Sequence, residues 1–240
     1  VGSSALPTAL IKYDVDRDEV VRDAAGRCQP VAPGEPGLLL GKITPNTQFE
    51  GYTNAEATEK KILRDVLQSG DAWFNTGDLM RTVDVGFALG LPHYQFVDRI
   101  GDTFRWKGEN VSTNEVGEIL NLHPQVALSN VYGVEVPGTD GRAGMASLRL
   151  EEGVSSLDLD SFSTHVQAEL PHFARPLFLR IQSEMDTTGT FKLLKGDLRK
   201  QGYDPAQVND VLCVLKPGAT RYEPLDADFH ARIVQGTAGY

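Results

Sequence analysis

The chain has 240 residues, of which 40% are hydrophobic and 23% charged, and its formal net charge is −10 at pH 7. This composition is typical of a globular protein and excludes a disordered chain, and the length suits one large domain or, as we expect, two small ones. The acidic balance, without any basic block, excludes an electrostatic surface for nucleic acid.

The start of the chain and its cysteines bear on the cellular compartment. The sequence begins Val1-Gly2-Ser3-Ser4, which lacks the basic and apolar regions of a signal peptide. No apolar run reaches the roughly 18 residues of a membrane-spanning helix. Cys28 and Cys213 match neither a zinc spacing nor a disulfide framework, which favours a reducing compartment. We expect a cytoplasmic protein, and the sequence leaves peripheral association with a membrane open.

The first hundred residues are predicted to be rich in β-strands. Four short apolar runs next to proline, glycine or charged residues predict strands over residues 9–13, 37–43, 79–83 and 94–97. Residues 55–67 place apolar side chains on one helical face, with Asn54 before them and Gly70 after them, and this pattern predicts a helix. A domain boundary is expected near residues 98–102.

The rest of the chain alternates helices with strands. Ser112, followed three residues later by Glu115, has the spacing of a capping box and predicts a helix over 113–121. Further strands are predicted over 126–136, 144–150 and 177–181, and further helices over 156–170, 191–201 and 226–234. The predicted fold class is α+β, with a small β-rich, barrel-like subdomain followed by a compact α+β domain.

Three clusters of residues could carry chemistry. In the first, Asp78 follows Gly77 just before a predicted strand. Its carboxylate could accept hydrogen bonds from the adjacent hydroxyls of a ribose, and the glycine would permit close approach of the backbone. The alternative is an aspartate that only caps a turn.

The second cluster, residues 97–112, is dense in charge, glycine and aromatic side chains, and is either a hinge or a β-hairpin with a solvated charged face.

The third cluster, residues 186–195, is a polar loop that contains Lys192 and runs into a basic helix start. A lysine on such a loop can stabilise an anionic transition state as a point charge, although most single lysines are simply exposed. The five histidines share no metal-ligand spacing. We therefore predict no metal-binding residue in this chain.

Taken in order, these clusters resemble motifs of the adenylate-forming enzymes, the superfamily of acyl-CoA synthetases, luciferases and nonribosomal adenylation domains. Thr76-Gly77-Asp78 matches a nucleotide-binding motif, Asp98-Arg99 begins a hinge motif, and residues 188–195 stand where a C-terminal lysine loop belongs. More narrowly, residues 98–113, 170–176 and 189–192 are similar to the branch of fatty acid transport proteins and very-long-chain acyl-CoA synthetases. The resemblance covers residues 1 to about 216 of the chain.

The resemblance implies an ATP-dependent, AMP-forming fatty acid–CoA ligase for long or very long chains. A fatty acid carboxylate would attack the α-phosphate of ATP, and CoA thiolate would then displace AMP. ATP, Mg²⁺ and CoA are thus the expected substrates and cofactor, with fatty acid as the acyl partner. One alternative is a fatty acid transport or binding protein in which ligation is secondary, and another is an acyl-AMP ligase that serves a carrier protein.

The same resemblance assigns roles to individual residues. Lys192 is the expected catalytic residue of adenylation. Asp78 and Arg99 are expected to bind the ribose. The pivot of a mobile C-terminal domain is expected at Gly101 or Asp102. In the second step, thioester formation, the hinge-motif loop would face the active site. Three of its residues would then lie along the pantetheine tunnel: Trp106, Lys107 and Gly108.

The implied organisation is a β-rich subdomain over residues 1–98, a hinge over 99–101 and a mobile domain over 102–240. The phosphate loop, the adenine-stacking motif and the acyl channel of such enzymes are absent from these residues. We therefore expect the chain to be the C-terminal portion of a longer enzyme, to require the missing N-terminal portion as its partner, and to be inactive alone.

Overall fold

The computed structural model describes residues 7–15, 17–45, 55–86, 92–184 and 195–240. The chain divides into two compact units, Val1–Gly101 and Asp102–Tyr240, which we call the first and the second unit. Strands dominate the described part of the first unit, whereas the second combines sheet and helices. The predicted α+β fold class is confirmed.

The first unit is built on an antiparallel sheet. Its elements are β1 (Thr8–Ile11), β2 (Tyr13–Asp14), β3 (Glu19–Val20), β4 (Gly37–Lys42), α1 (Ala55–Glu59), β5 (Ile62–Arg64), β6 (Ala72–Val83) and β7 (His93–Arg99). Strands β1, β4, β6 and β5 lie side by side in that order, and β7 also pairs with β6. The long strand β6 therefore organises the sheet, because three other strands pair with it.

A small apolar core lies against this sheet. It consists of residues from the sheet and its flanking loops: Ile11, Cys28, Leu38, Leu40, Val66, Trp73, Leu79 and Val97. The indole nitrogen of Trp73 donates a hydrogen bond to Asp71 Oδ2 over 2.9 Å, so the polar atom of this buried ring is satisfied. The four strands predicted in this region are confirmed as β1, β4, β6 and β7, but β6 begins seven residues earlier than predicted. Asp78, expected just before a strand, therefore lies inside β6, because residues 72–75 already pair with β4 and β5.

The helix predicted over residues 55–67 is wrong beyond its first turns. Helix α1 ends at Glu59, and residues 62–64 form β5, in which Ile62 pairs with Phe74 and Leu63 with Trp73. Asp65 then turns the chain with φ +54. These apolar residues have helical spacing, but they pair with the neighbouring strand β6 instead. The periodicity of the local sequence contains no information about such a tertiary contact. Asn54 lies outside the described residues.

The second unit has its own five-stranded sheet. The described strands of this unit are β8 (Phe104–Trp106), β9 (Glu109–Val111), β10 (Val126–Val134), β11 (Ala143–Leu150), β12 (Phe178–Gln182), β13 (Val211–Val214) and β14 (Glu223–Pro224), of which the last five form the sheet. Strands β10 to β14 lie in sequence order, with β11 and β12 parallel and the other pairs antiparallel. Strands β8 and β9 form a separate hairpin.

Helices accompany this sheet. They are α2 (Thr113–Leu120), α3 (Leu159–Glu169), α4 (Gly196–Gln201) and α5 (Ala227–Val234), with a 3₁₀ turn at His172–Ala174. Helix α3 lies in the crossover that joins the parallel strands β11 and β12. None of the helices in the described parts of the chain is long and apolar enough to cross a membrane.

Most elements predicted for the second unit are confirmed: α2, β10, β11, α3, β12 and α5. Of the helix predicted over 191–201, the structure describes the part from residue 195, and α4 lies there, ending at Gly202 with φ +53. Strands β13 and β14 were not predicted. The cysteines of the two units are both free and buried, and burial raises the pKa of the Cys213 thiol to about 11.

Candidate functional site

Asp78 and Arg99, both predicted to bind ribose, lie opposite each other in the first unit. The register of β6 and β7 pairs them directly, and Arg99 Nε lies 3.4 Å from Asp78 Oδ1. The Arg99 side chain is 57% exposed and that of Asp78 31% exposed. A guanidinium and a carboxylate thus sit side by side at the surface of a sheet, where they present donors and acceptors together.

Hydrogen bonds fix the turn that carries Asp78. Gly77 has φ +82, a conformation that favours glycine, and its N–H donates to Asn75 Oδ1 over 2.9 Å. Thr76 Oγ1 accepts from the N–H of Asp78 over 3.1 Å and donates to the Leu39 carbonyl over 2.8 Å. The sequence Thr-Gly-Asp therefore holds the carboxylate in one orientation within the sheet.

One carboxylate oxygen of Asp78 has an unused capacity to accept a hydrogen bond. Oδ1 is buried and has no hydrogen-bond partner within the described residues, although Arg99 Nε lies in ion-pair range. A buried acceptor left without a donor costs free energy, and a ligand hydroxyl would remove that cost. This chemistry suits a vicinal diol such as a ribose.

Sequence reasoning named Asp98 only as the first residue of the hinge motif and gave it no role, yet it supports the pair. Its side chain is only 3% exposed, and its Oδ1 accepts a hydrogen bond from the N–H of Arg99 over 2.9 Å. The next residue, Ile100, donates its N–H to the Gly77 carbonyl over 3.0 Å. The signal was present in the sequence as an acid next to Arg99, directly after the strand predicted over 94–97.

The structure separates the three residues predicted to contact pantetheine. Trp106 is 3% exposed and belongs to the core of the second unit. Lys107 and Gly108 form the exposed tip of the β8–β9 hairpin, with φ +49 and +89, as a type I′ turn requires. Lys107 Nζ lies 5.4 Å from the centroid of the Trp106 ring. The hairpin that we weighed as an alternative is therefore present, and its tip is accessible.

Gly141, which sequence reasoning missed, holds the base of this hairpin. A Cβ atom there would lie 2.2 Å from the Arg105 carbonyl oxygen, and the residue has φ +80. The neighbouring Arg142 donates its N–H to the same carbonyl over 2.6 Å. Only a glycine permits this approach of two backbones, so the position of the hairpin depends on it.

A cluster of charges surrounds Asp102, the first residue of the second unit. Lys195 Nζ lies 3.2 Å from Asp102 Oδ2, and Arg199 Nη2 lies 3.0 Å from Oδ1. Lys195 Nζ also donates to Thr113 Oγ1 over 2.8 Å. Sequence reasoning named Asp102 as a hinge residue but missed its partner Arg199, which lies 97 residues away along the chain, and the contact between Lys195 and Thr113.

The structure describes no side-chain contact for two predicted site residues, Lys192 and Gly101. Lys192 lies outside the described residues. Gly101 is the last residue of the first unit, and a Cβ atom added there would have nothing within 4 Å. Among residues that the structure does describe, no group of three or more histidine, cysteine or acidic side chains is placed to hold a metal ion.

Comparisons with known proteins agree with this picture. Residues 115–192 match the family model of the AMP-binding enzyme C-terminal domain. The chain is 46% identical over 229 residues to long-chain fatty acid transport protein 2 of Rattus norvegicus, covering 95% of this chain and 36% of that protein. It is 43% identical over 235 residues to the medium/long-chain-fatty-acid–CoA ligase FadD6 of Mycobacterium tuberculosis, covering 98% of this chain and 38% of that protein.

Solved structures of adenylate-forming enzymes share the fold. The anthranilate CoA ligase AuaEII in complex with anthranoyl-AMP superimposes with a TM-score of 0.63 at 22% identity, covering 82% of this chain and 33% of that one. The O-succinylbenzoate coenzyme A synthetase of Bacillus subtilis in complex with AMP gives 0.58 at 23% identity, covering 84% and 34%. The chain spans little more than a third of the length of the two curated relatives. Residues 115–192 are thus similar to an AMP-binding enzyme C-terminal domain, and the chain as a whole is similar to a C-terminal portion of the long-chain fatty acid transport proteins and of the FadD6 ligase.

Proposed function

We propose that this chain is part of an ATP-dependent fatty acid–CoA ligase that acts on long or very long acyl chains. The observation that carries the proposal is the Asp78–Arg99 ion pair on adjacent strands, in which the buried Asp78 Oδ1 accepts no hydrogen bond from the residues that the structure describes. The similarity to the FadD6 ligase over nearly the whole chain supports the same activity.

In this proposal the pair binds the ribose of ATP in the first half-reaction. Asp78 accepts hydrogen bonds from the two ribose hydroxyls, and Arg99 supplies donors from its planar guanidinium. The rigid turn around Gly77 keeps the carboxylate in place before ATP arrives. Preorganised polar groups need little rearrangement when the ligand binds, which favours tight and oriented binding.

Lys192 is proposed to act where negative charge accumulates. The fatty acid carboxylate must approach the α-phosphate of ATP, and the two anions repel each other. A lysine ammonium that bridges the acyl oxygen and the phosphate would offset this repulsion in the transition state. Mg²⁺ would assist with the phosphates, but the described residues include no acidic cluster for it, and we assign no residue of this chain to the ion.

The second half-reaction needs a different face of the second unit. We propose that rotation about Gly101 or Asp102 brings the β8–β9 hairpin to the acyl-adenylate. The exposed tip, Lys107 and Gly108, would line the path of the pantetheine arm, and Gly108 lets the arm approach the backbone closely. Trp106, being buried, would support the hairpin from below. CoA thiolate then attacks the acyl carbonyl and AMP leaves.

The experiment is ATP/pyrophosphate exchange with a series of fatty acids, followed by acyl-CoA detection after CoA is added. It uses the full-length protein that contains this chain, and the 240-residue chain separately. We expect exchange only from the full-length protein. Lys192→Ala should abolish exchange, and Asp78→Asn should weaken ATP binding. No exchange from a folded full-length protein would overturn the proposal, as would activity of the short chain with full-length enzyme excluded.

A second candidate is a fatty acid transport protein in which ligation is secondary. The names of several relatives, at 44% to 46% identity, favour it. Such a protein would associate peripherally with a membrane from the cytoplasm. Lys192→Ala separates the two candidates. Under the ligase proposal it abolishes acyl-adenylate formation and with it fatty acid accumulation, whereas uptake that persists in this variant favours transport.

A further inference from the structure

The two cations that contact Asp102 are the residue before helix α4 and a residue within that helix. Lys195 precedes the helix and Arg199 lies in its middle, and each contacts a different carboxylate oxygen. Asp102 therefore links the beginning of the second unit to a helix more than ninety residues later in the chain. The three side chains are between 19% and 30% exposed, so they are better shielded from solvent than an ordinary surface ion pair.

A third element completes this network. Lys195 Nζ donates to the hydroxyl of Thr113, the first residue of α2, and Thr113 is only 3% exposed. Lys195 is thus held between a carboxylate and a buried hydroxyl. We call these four residues the Asp102 cluster: Asp102, Thr113, Lys195 and Arg199. A charge held by several partners loses little through desolvation, and its geometry is defined by all of them.

Among the residues that the structure describes, few contacts other than these hold the beginning of helix α4. It has six residues, no fully buried side chain and no side-chain cap at its N-terminus. A helix this short is unstable alone. Its far end is held separately, where the buried Arg180 donates to Gln201 Oε1 over 2.6 Å. Leu198 packs against the core between these two anchors.

We infer that Asp102 is a positioning residue that fixes the start of α4 and thereby the point from which the Lys192 segment extends. Lys192 precedes Lys195 by three residues, so the chain between them spans at most about 11 Å. Anchoring Lys195 thus confines the region that Lys192 can reach. This inference rests on the proposed ligase function. It also leaves Gly101 as the pivot, because the Asp102 side chain is committed to the second unit.

The test compares Asp102→Asn with Asp102→Glu in the full-length protein. Asparagine keeps the size of the side chain but removes the charge, which leaves Lys195 and Arg199 close together without their anion. We expect the adenylation kcat to fall about tenfold or more, with little change in KM for ATP. Glutamate keeps the charge and should restore most of the rate. Thioester formation from supplied acyl-adenylate should stay within about twofold of wild type, because it does not need Lys192.

A matched control and a structural readout make the result specific. Glu223→Gln removes a comparably exposed acid that pairs with Lys216 in the same unit, and adenylation should not change. Hydrogen exchange of the α4 amides should accelerate in Asp102→Asn and not in Glu223→Gln. The α4 hydrogen bonds to follow are those that the N–H groups of Arg199 and Gly202 donate to Lys195 and Leu198.

Each outcome decides the inference. Faster α4 exchange together with a selective loss of adenylation supports it. Unchanged α4 exchange overturns it, and so does an equal loss in both half-reactions, which would indicate general destabilisation. If the wild-type protein lacks fatty acid-dependent exchange, the proposed function fails. Hydrogen exchange would then still show whether Asp102 anchors α4, so the two failures can be distinguished.

Discussion

The two units of this chain hold their functional residues in different ways. In the first unit, Asp78 and Arg99 lie within paired strands, and the register of the sheet places them together. In the second unit, the hairpin tip and the Asp102 cluster lie on short elements outside the main sheet. A site within a sheet depends on every pairing of that sheet, whereas a peripheral site depends on a few local contacts. Residues on paired strands are therefore held more precisely than residues on short peripheral elements.

The two units also differ in the size of their described buried cores, and here the second unit has the larger one. The described buried core of the second unit contains 31 residues, and that of the first contains eight. Because hydrophobic burial drives folding, we expect the second unit to be the more stable of the two. The two tryptophans of the chain can report this difference, since buried Trp73 lies in the first unit and buried Trp106 in the second.

The largest effect is expected from Phe178→Ala. This side chain is fully buried on β12, and its ring stacks on Tyr203 with centroids 4.1 Å apart. Removing it should cost about 3–5 kcal/mol of unfolding free energy in the second unit. The measurement is urea unfolding followed by Trp106 fluorescence in a Trp73→Phe background. Val211→Ala, at a side chain 57% exposed on the adjacent strand β13, should change little. A loss below about 1 kcal/mol for Phe178→Ala would contradict the packing.

Leu40→Ala tests the smaller core in the same way. Leu40 is fully buried on β4, and its removal should cost about 2–5 kcal/mol. In a Trp106→Phe background we expect the transition reported by Trp73 to shift to lower urea. In a separate Trp73→Phe background, the transition reported by Trp106 should stay in place. Leu67→Ala, at a 37% exposed side chain of the same unit, is the control. Joint movement of both transitions would show that the units unfold together.

The elements that local chemistry defines were those that the sequence predicted. Helix α2 was found because Ser112 and Glu115 form a capping signal within four residues, and β10 and β11 because turn residues separate two apolar runs. Strand β5 was misread because its pairing with β6 decides its conformation. Local sequence patterns carry no information about such partners.

The same limit applies to the candidate site. Asp78, Arg99 and Asp102 were identified individually through their motifs, but the direct pairing of Asp78 with Arg99 depends on the strand register. Arg199 and Thr113 were missed because their partners lie 97 and 82 residues away along the chain. Motifs thus identify residues, and only the fold shows which of them act together.

A smaller effect is expected from Ser112→Ala at the start of α2. Ser112 Oγ accepts a hydrogen bond from the Glu115 N–H over 3.1 Å, so alanine leaves that donor without its cap. The loss should be about 1 kcal/mol in the second unit. Ser112→Asp retains an acceptor at the cap and should lose much less. Equal losses for the alanine and aspartate variants would show that Ser112 acts through packing alone. The assay is again urea unfolding with Trp106 fluorescence in a Trp73→Phe background.

The smallest effect that we predict is a pH dependence confined to the second unit. His123 is 2% exposed, its Nδ1 accepts from the Gln125 N–H over 3.3 Å, and its Nε2 lies 3.2 Å from Ser161 Oγ. Burial lowers the pKa of His123 below its usual 6.5, and the nearby His165 lowers it further, while Asp158 acts in the opposite direction. His165 itself contacts the Ile119 carbonyl through Nε2, so it also faces this site.

A lowered histidine pKa destabilises the fold in acid. Below about pH 6.5 the unfolded chain protonates His123 more readily than the folded chain does, so the unfolding free energy falls as the pH drops towards the folded-state pKa. Above that range both states are neutral at this residue and the effect vanishes. Urea unfolding between about pH 7.5 and pH 5.5 should therefore show a steeper loss for wild type than for His123→Gln, again followed by Trp106. Parallel slopes would mean that His123 does not contribute. The first unit, followed by Trp73, should show the same slope with and without this substitution, because its folded state contains no part of the His123 site.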